Sequence, residues 1–215
     1  MTPAERVRRL VQAGTVATDE GERLLAAMDR EPRRSPVSAL VNPFDRFGGG
    51  VAAVAGVVVS GLALGLTRMG VRFDGFLDLH VAHGHIAPLR VSMLEQLVGW
   101  GLPAVLLFAY ARVVARHVRL IDFVGVVGLA RAPIVLAAVP IALLSPDAAS
   151  PAAMLTPGML ASLCFALACL GWSGTLLYQG FKNASGMRGP ALVGGLIGMV
   201  IASEAASKLA LAWLR

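Results

Sequence analysis

The alternation of apolar and polar stretches divides this chain before any motif is considered. Five segments are almost wholly apolar: residues 49–67, 92–114, 121–144, 154–178 and 190–214. At ~1.5 Å per helical residue, each is long enough to cross a ~30 Å hydrocarbon layer. Ahead of them the apolar residues recur at helical spacing instead of in runs. Val7, Leu10 and Val11 mark one short helix. Thr2-Pro3-Ala4-Glu5 predicts its start as a capping box with Pro3 at the first helical position, and Gly14 predicts its stop. Thr18 opens a second helix with Asp19, Glu20 and Glu22 near the positive end of its dipole and Leu24, Leu25 and Met28 on its apolar face. The expected organisation is a small helical hairpin over 1–30, a linker becoming an interfacial segment over 31–47, and a membrane domain over 48–215. In the interfacial segment Val37, Leu40, Val41, Phe44 and Phe47 offer an apolar stripe, and Arg46 suits a headgroup boundary. The fold class is all-α: a polytopic bundle of five transmembrane helices.

Composition reinforces this reading. Charged residues make up 15% of the chain and hydrophobic ones 56%, whereas a soluble domain has roughly 25% charged residues. Cys164 and Cys169 lie within one apolar segment, with neither a disulfide framework nor zinc spacing. The start of the chain shows no signal-peptide pattern, so the first apolar segment is expected to be a retained anchor. The formal charge of +6 reads as topology and not as nucleic-acid affinity, because the basic residues cluster beside apolar segments. With the N-terminus inside, 13 Lys and Arg fall on the cytoplasmic side against 4 on the other. The positive-inside rule therefore predicts a cytoplasmic N-terminus and an extracytoplasmic C-terminus.

The third segment, 121–144, organises the expectations about chemistry. Arg131 sits near its middle, followed by Pro133, which removes a backbone donor. A lone guanidinium at bilayer depth costs from ~3 to over 10 kcal/mol, so it requires a partner or a wet pocket. Glu95 enters the second segment within a turn, and the fifth carries Glu204 and Lys208 at the favourable i, i+4 spacing. The depths along each span predict an intramembrane charge network of Arg131, Glu204, Lys208 and Glu95 that fixes the packing of the second, third and fifth helices. The connection 68–90 holds Asp78, His80, His83 and His85, a set whose donors suit zinc or another divalent metal if three or four converge. The plainer reading of that stretch is a short interfacial segment whose imidazoles and carboxylates cap, hydrogen-bond or face water. Small residues at four-residue spacing (Ala52, Gly56 and Ser60; Gly61 and Gly65; Gly194 and Gly198) mark faces where another helix can approach closely.

Three stretches together give the chain the layout of a known family. Asn42-Pro43-Phe44-Asp45-Arg46-Phe47 precedes the first span, VGLARAPIVLAAVPIAL forms the third, and GWSGTLLYQGFKNASGMRGPALVGGL joins the fourth to the fifth. In that layout residues 40–214 resemble the Yip family, the Ypt-interacting-protein domain of small five-span membrane proteins. The family often has a Gly-Tyr segment and then a proline in the third span, where this chain has Gly128, Leu129 and Pro133. Residues 5–29 separately look like the SHOCT-like helical hairpins attached to many bacterial membrane proteins. Those hairpins are associated with oligomerisation or interaction.

The resemblance and the composition imply a multi-pass protein of a bacterial cytoplasmic membrane. Its partners would be the lipid bilayer and a protein or second copy met through residues 1–30 and the small-residue faces, with no nucleic acid. No nucleophile–base spacing, phosphate loop or dinucleotide fingerprint is present in the sequence. The expected function is therefore non-enzymatic and needs no cofactor: a scaffold or membrane-organising protein. The alternative is a small-solute or ion transporter or channel using Arg131, Glu204 and Lys208. Third comes a metal-dependent activity at the extracytoplasmic histidine cluster, the one reading that needs a divalent metal.

Overall fold

The computed structural model describes residues 3–30, 36–82, 86–115, 117–144 and 156–214. The chain divides into two compact units, Met1–Leu40 and Val41–Arg215. In the first, α1 (Pro3–Gln12) and α2 (Thr18–Arg30) form the hairpin. Gly14 adopts φ +70°, which lets Gly14 N–H reach Val11 O at 3.0 Å and Thr15 N–H reach Leu10 O at 3.0 Å. That pair of bonds closes α1 as a Schellman turn and sends the chain back. Val11 then packs so closely on Gly21 that a side chain there would overlap it. Thr2, expected to cap α1, lies outside the described residues. A short helix, α3 (Pro36–Val41), follows at the junction of the two units in sequence.

The second unit is an all-α bundle containing five helices long and apolar enough to cross a membrane. They are α4 (Gly49–Thr67), α5 (Leu89–Val114), the tandem α6 (Leu120–Ala130) and α7 (Ala132–Leu144), α8 (Pro157–Ser185) and α9 (Gly189–Leu214). The third span is the central one. In it 56% of the apolar window is buried, against 28% or less in the others, because α6 packs on α4, α5 and α8 at once. Glycines allow the closest of these approaches. A Cβ on Gly56 would lie 2.8 Å from the Gly128 Cα, and Trp100 closes the same contact by donating its indole N–H to Val124 O at 2.8 Å. Phe123 and Phe181 sit edge to face in the adjoining core with Leu107 and Leu192.

The fourth and third spans differ from the sequence expectation for local reasons. The fourth helix begins at Pro157, three residues later than expected, because the Thr156 hydroxyl accepts the Met159 N–H at 3.3 Å as an N-cap. It runs on through Lys182 to Gly186, whose φ of +68° ends it. The third span is interrupted at Arg131, one turn after Val127 and just before Pro133. Backbone bonds from Arg131 N–H to Val127 O (3.2 Å) and Val135 N–H to Arg131 O (3.0 Å) carry the helical path through. The Ser173 hydroxyl on α8 donates to Ala130 O at 2.6 Å, supplying a neighbouring-helix bond of the kind a membrane proline requires.

The largest departure concerns the connection between α4 and α5. Two short antiparallel strands, β1 (Val71–Arg72) and β2 (His80–Val81), pair Val71 with Val81 and Arg72 with His80. The segment between them does not extend away from the bundle as a polar loop would. Phe73 (2% exposed) packs with Ala63 of α4 and with Val135 and Ala138 of α7, while Phe76 (3%) joins the core of Ala104 and Leu107. At the tip, a Cβ on Gly75 would meet Glu204 Oε1 at 2.7 Å, and one on Gly99 would meet Gly75 O at 2.9 Å. Gly99 stands ten residues into α5 and Glu204 ten residues before the end of α9. The tip therefore sits ~15 Å below both helix ends, about half the depth of a hydrocarbon layer.

Candidate functional site

Non-helical backbone at such a depth must find protein partners for its polar groups, since lipid offers none. The re-entrant loop 71–79 finds them on α5 and α9. Glu95, fully buried, accepts Arg72 Nε–H at 2.9 Å and the Phe73 N–H at 3.4 Å. A second guanidinium nitrogen, Arg72 Nη2, also pairs with Glu95 Oε1. Glu204 accepts the Leu77 N–H at 2.8 Å, and the Ser207 hydroxyl accepts the Phe76 N–H at 3.1 Å. Lys208 bridges Glu204 at 3.4 Å and Asp78 at 2.8 Å, and His80 lies 3.4 Å from Asp74 and 3.7 Å from Asp78. The carboxylates thus act as caps for exposed main-chain amides. This is the role an N-cap residue plays at a helix terminus, moved here to an irregular turn.

This arrangement corrects the expected four-residue network. Glu204 and Lys208 do lie together, but Glu95 pairs with Arg72 and the chain of pairs does not pass through Arg131. The physical reason is the loop itself. It inserts between the helices and presents its own cation and its own amides to Glu95 and Glu204. Arg131 is 2% exposed, and its guanidinium carbon lies 5.7 Å from the centre of the Phe73 ring. Its Nη2 is 3.6 Å from where a Cβ on Gly99 would stand, and its Nη1 has no hydrogen-bond partner. Among the described residues it makes no salt bridge. Nearby on the same helical faces, the side-chain polar atoms of Ser92, Gln96 and Ser203 are also buried without partners.

Of the residues expected to hold a metal, His83 and His85 lie outside the described residues. Asp78 and His80 are described, and both are engaged in the salt-bridged cluster with Lys208 and Asp74. Among the described residues no three His, Cys, Asp or Glu side chains gather as a metal site. Arg72, Phe73, Gly75, Phe76 and Ser207 carry much of the site, and none of them belongs to the expected charge network or metal set. The available signal was the pair of phenylalanines flanking a glycine in FDGFLDL, apolar bulk that a loop in water has no reason to hold.

At the opposite end of the bundle a cavity of about 230 Å³ lies between Phe44, Gly49, Asp122 and Gly180. Its rim is fixed by the Asn183 amide, which donates to Asn42 Oδ1 at 3.3 Å and to Asp45 Oδ1 at 3.1 Å. These bonds tie the turn Pro43–Asp45 to α8. Compared with family models, curated proteins and solved structures, the chain finds no match.

Proposed function

We propose that this chain is a non-enzymatic integral membrane protein of the Yip-like type, a scaffold or membrane-organising component. It would sit in a bacterial cytoplasmic membrane with its N-terminus inside, and the α1–α2 hairpin would be its cytoplasmic contact. One observation carries the reading: Glu95 and Glu204, the two carboxylates deepest in the bundle, are engaged in holding loop 71–79. Groups fixed as caps rigidify a platform, whereas a conduction path needs charges that can change partners. A scaffold also needs surfaces for neighbours, and the bundle offers them. Gly61, Gly65, Gly194 and Gly198 have nothing within 4 Å of a Cβ position, so a further helix could approach each closely. The test is reconstitution of the purified chain into liposomes together with chemical cross-linking. The expected result is cross-linked copies, lost on removing the hairpin, without solute or ion flux; flux through the wild-type chain overturns it.

A second reading, transport of a small solute or ion through Arg131, Glu204 and Lys208, is favoured by the unpaired, buried state of Arg131. It requires flux that Glu204→Gln abolishes.

A further inference from the structure

Three cations lie in the part of the bundle occupied by the loop: Arg72, Lys208 and Arg131. The first is bound to Glu95 and the second to Glu204 and Asp78. Arg131, the most enclosed of the three, is the one with no carboxylate within salt-bridge range among the described residues. A ring face at 5.7 Å offsets part of the lost hydration, but it satisfies no N–H, and Nη1 stays unpartnered. Polar side chains on the two helices that seat the loop, α5 and α9, are orphaned too. Gln96 stands one turn before Gly99, the residue against which Arg131 Nη2 rests, and neither of its amide atoms has a partner. Ser203 stands one turn below Ser207, on the face of α9 that receives the loop, and its hydroxyl is likewise unpartnered. Ser92 continues the same face of α5 one turn above Gln96, towards the helix start. A positive charge and two uncharged donors therefore stand on elements that flank the seat of Gly75: Arg131 Nη2 lies beside Gly99, Gln96 is one turn from Gly99, and Ser203 adjoins Glu204. What they have in common is that each can donate to a bound negative species.

We propose that Arg131, Gln96 and Ser203 form a binding site for a small monovalent anion of chloride's size, held inside the bundle and covered by Phe73 and Gly75. The guanidinium supplies the charge, and the amide N–H of Gln96 and the hydroxyl of Ser203 supply neutral hydrogen bonds. Ser92 and Gln96 make a polar stripe leading inward from the loop end. The anion supplies the charge that Arg131 lacks, so its binding stabilises the folded bundle. The site is independent of the scaffold reading, since a resident anion is as compatible with a platform as with a carrier.

The experiment is thermal unfolding of the full chain in detergent, titrating potassium chloride against potassium gluconate at constant ionic strength. Binding to the folded state alone raises the midpoint as the anion saturates its site. The wild-type protein is expected to melt several degrees higher in chloride, with a saturable dependence that bromide reproduces. Arg131→Gln removes the dependence. Gln96→Leu and Ser203→Ala each raise the half-saturating chloride concentration about tenfold, as loss of one hydrogen bond to a charged ligand does. Equal melting in chloride and gluconate overturns the proposal, leaving a guanidinium solvated by water. A chloride dependence that survives Arg131→Gln overturns it as well. Should Arg131→Gln fail to fold, unchanged half-saturation in both Gln96→Leu and Ser203→Ala overturns it in its place.

Discussion

Glu204 shows how one side chain in the bundle serves two elements. Its Oε2 takes the Leu77 N–H at 2.8 Å, and its Oε1 lies 3.4 Å from Lys208 Nζ. Replacing it by alanine leaves the loop amide without an acceptor, at a cost of ~1–3 kcal/mol for an unsatisfied buried group. For a chain of this size each kcal/mol lowers the melting temperature by roughly 2–4 °C. Glu204→Ala should therefore melt several degrees lower in detergent, while Glu204→Gln, which keeps an acceptor for Leu77, should lose less. Glycines make a sharper contrast. A Cβ on Gly99 would stand 2.9 Å from the Gly75 carbonyl oxygen, a backbone atom that cannot swing aside, whereas Gly101 has nothing within 4 Å. Gly99→Ala is expected to destabilise by ~1–3 kcal/mol through overpacking. Gly101→Ala is expected to be neutral or to stabilise by up to ~1 kcal/mol through helix propensity. Equal melting of the two variants would show that the loop tip is not seated against α5.

At the scale of elements, loop 71–79 decides where the charges go. Hydrophobic runs made the five helices legible, because a membrane span announces itself by length and composition alone. The apolar run 49–67 coincides with α4. The centrality of 121–144 could likewise be read from Arg131, since a charge at that depth demands enclosure on all sides. A re-entrant loop leaves no comparable mark. Its backbone polarity is satisfied by side chains remote in sequence, with Leu77 and Glu204 separated by 127 residues. No local period encodes such a pairing, so Asp78 and His80 read as candidate ligands and Glu95 as the end of a network running through Lys208 and Glu204 to Arg131. The loop should also be less stable than the helices that hold it, since its β1–β2 pairing involves two residues a side. Hydrogen exchange should show the Phe73, Phe76 and Leu77 amides slow in the wild-type protein and selectively faster in Glu204→Ala, with the α4 and α6 amides unchanged. Uniform acceleration across all helices would mean that Glu204 supports the whole bundle and not the loop.

For the whole molecule, the division into two compact units separates stability from association. The second unit has a core of its own, around Phe123, Phe181 and Leu107. The surface of that unit is apolar on many sides, as lipid requires: Leu209 is 72% exposed and Trp213 92%. Exposed apolar side chains alone do not single out a protein contact in a membrane, because lipid satisfies them equally well. Small residues do, since only a close-packed helix gains from a missing side chain. On α9, Gly195 is closed by the Tyr110 ring, whereas Gly194 and Gly198 are open along the neighbouring face. Filling that face with Gly194→Leu and Gly198→Leu should leave the melting temperature of the single chain within about 2 °C of wild type, since no core contact is touched. If copies meet through α9, the same double variant should abolish cross-linking in liposomes. If they meet through α1 and α2, cross-linking should survive it and vanish on removal of residues 1–40. Loss of cross-linking together with a large fall in melting temperature would instead place the two glycines in the fold, and the open face on α9 would then be no docking surface.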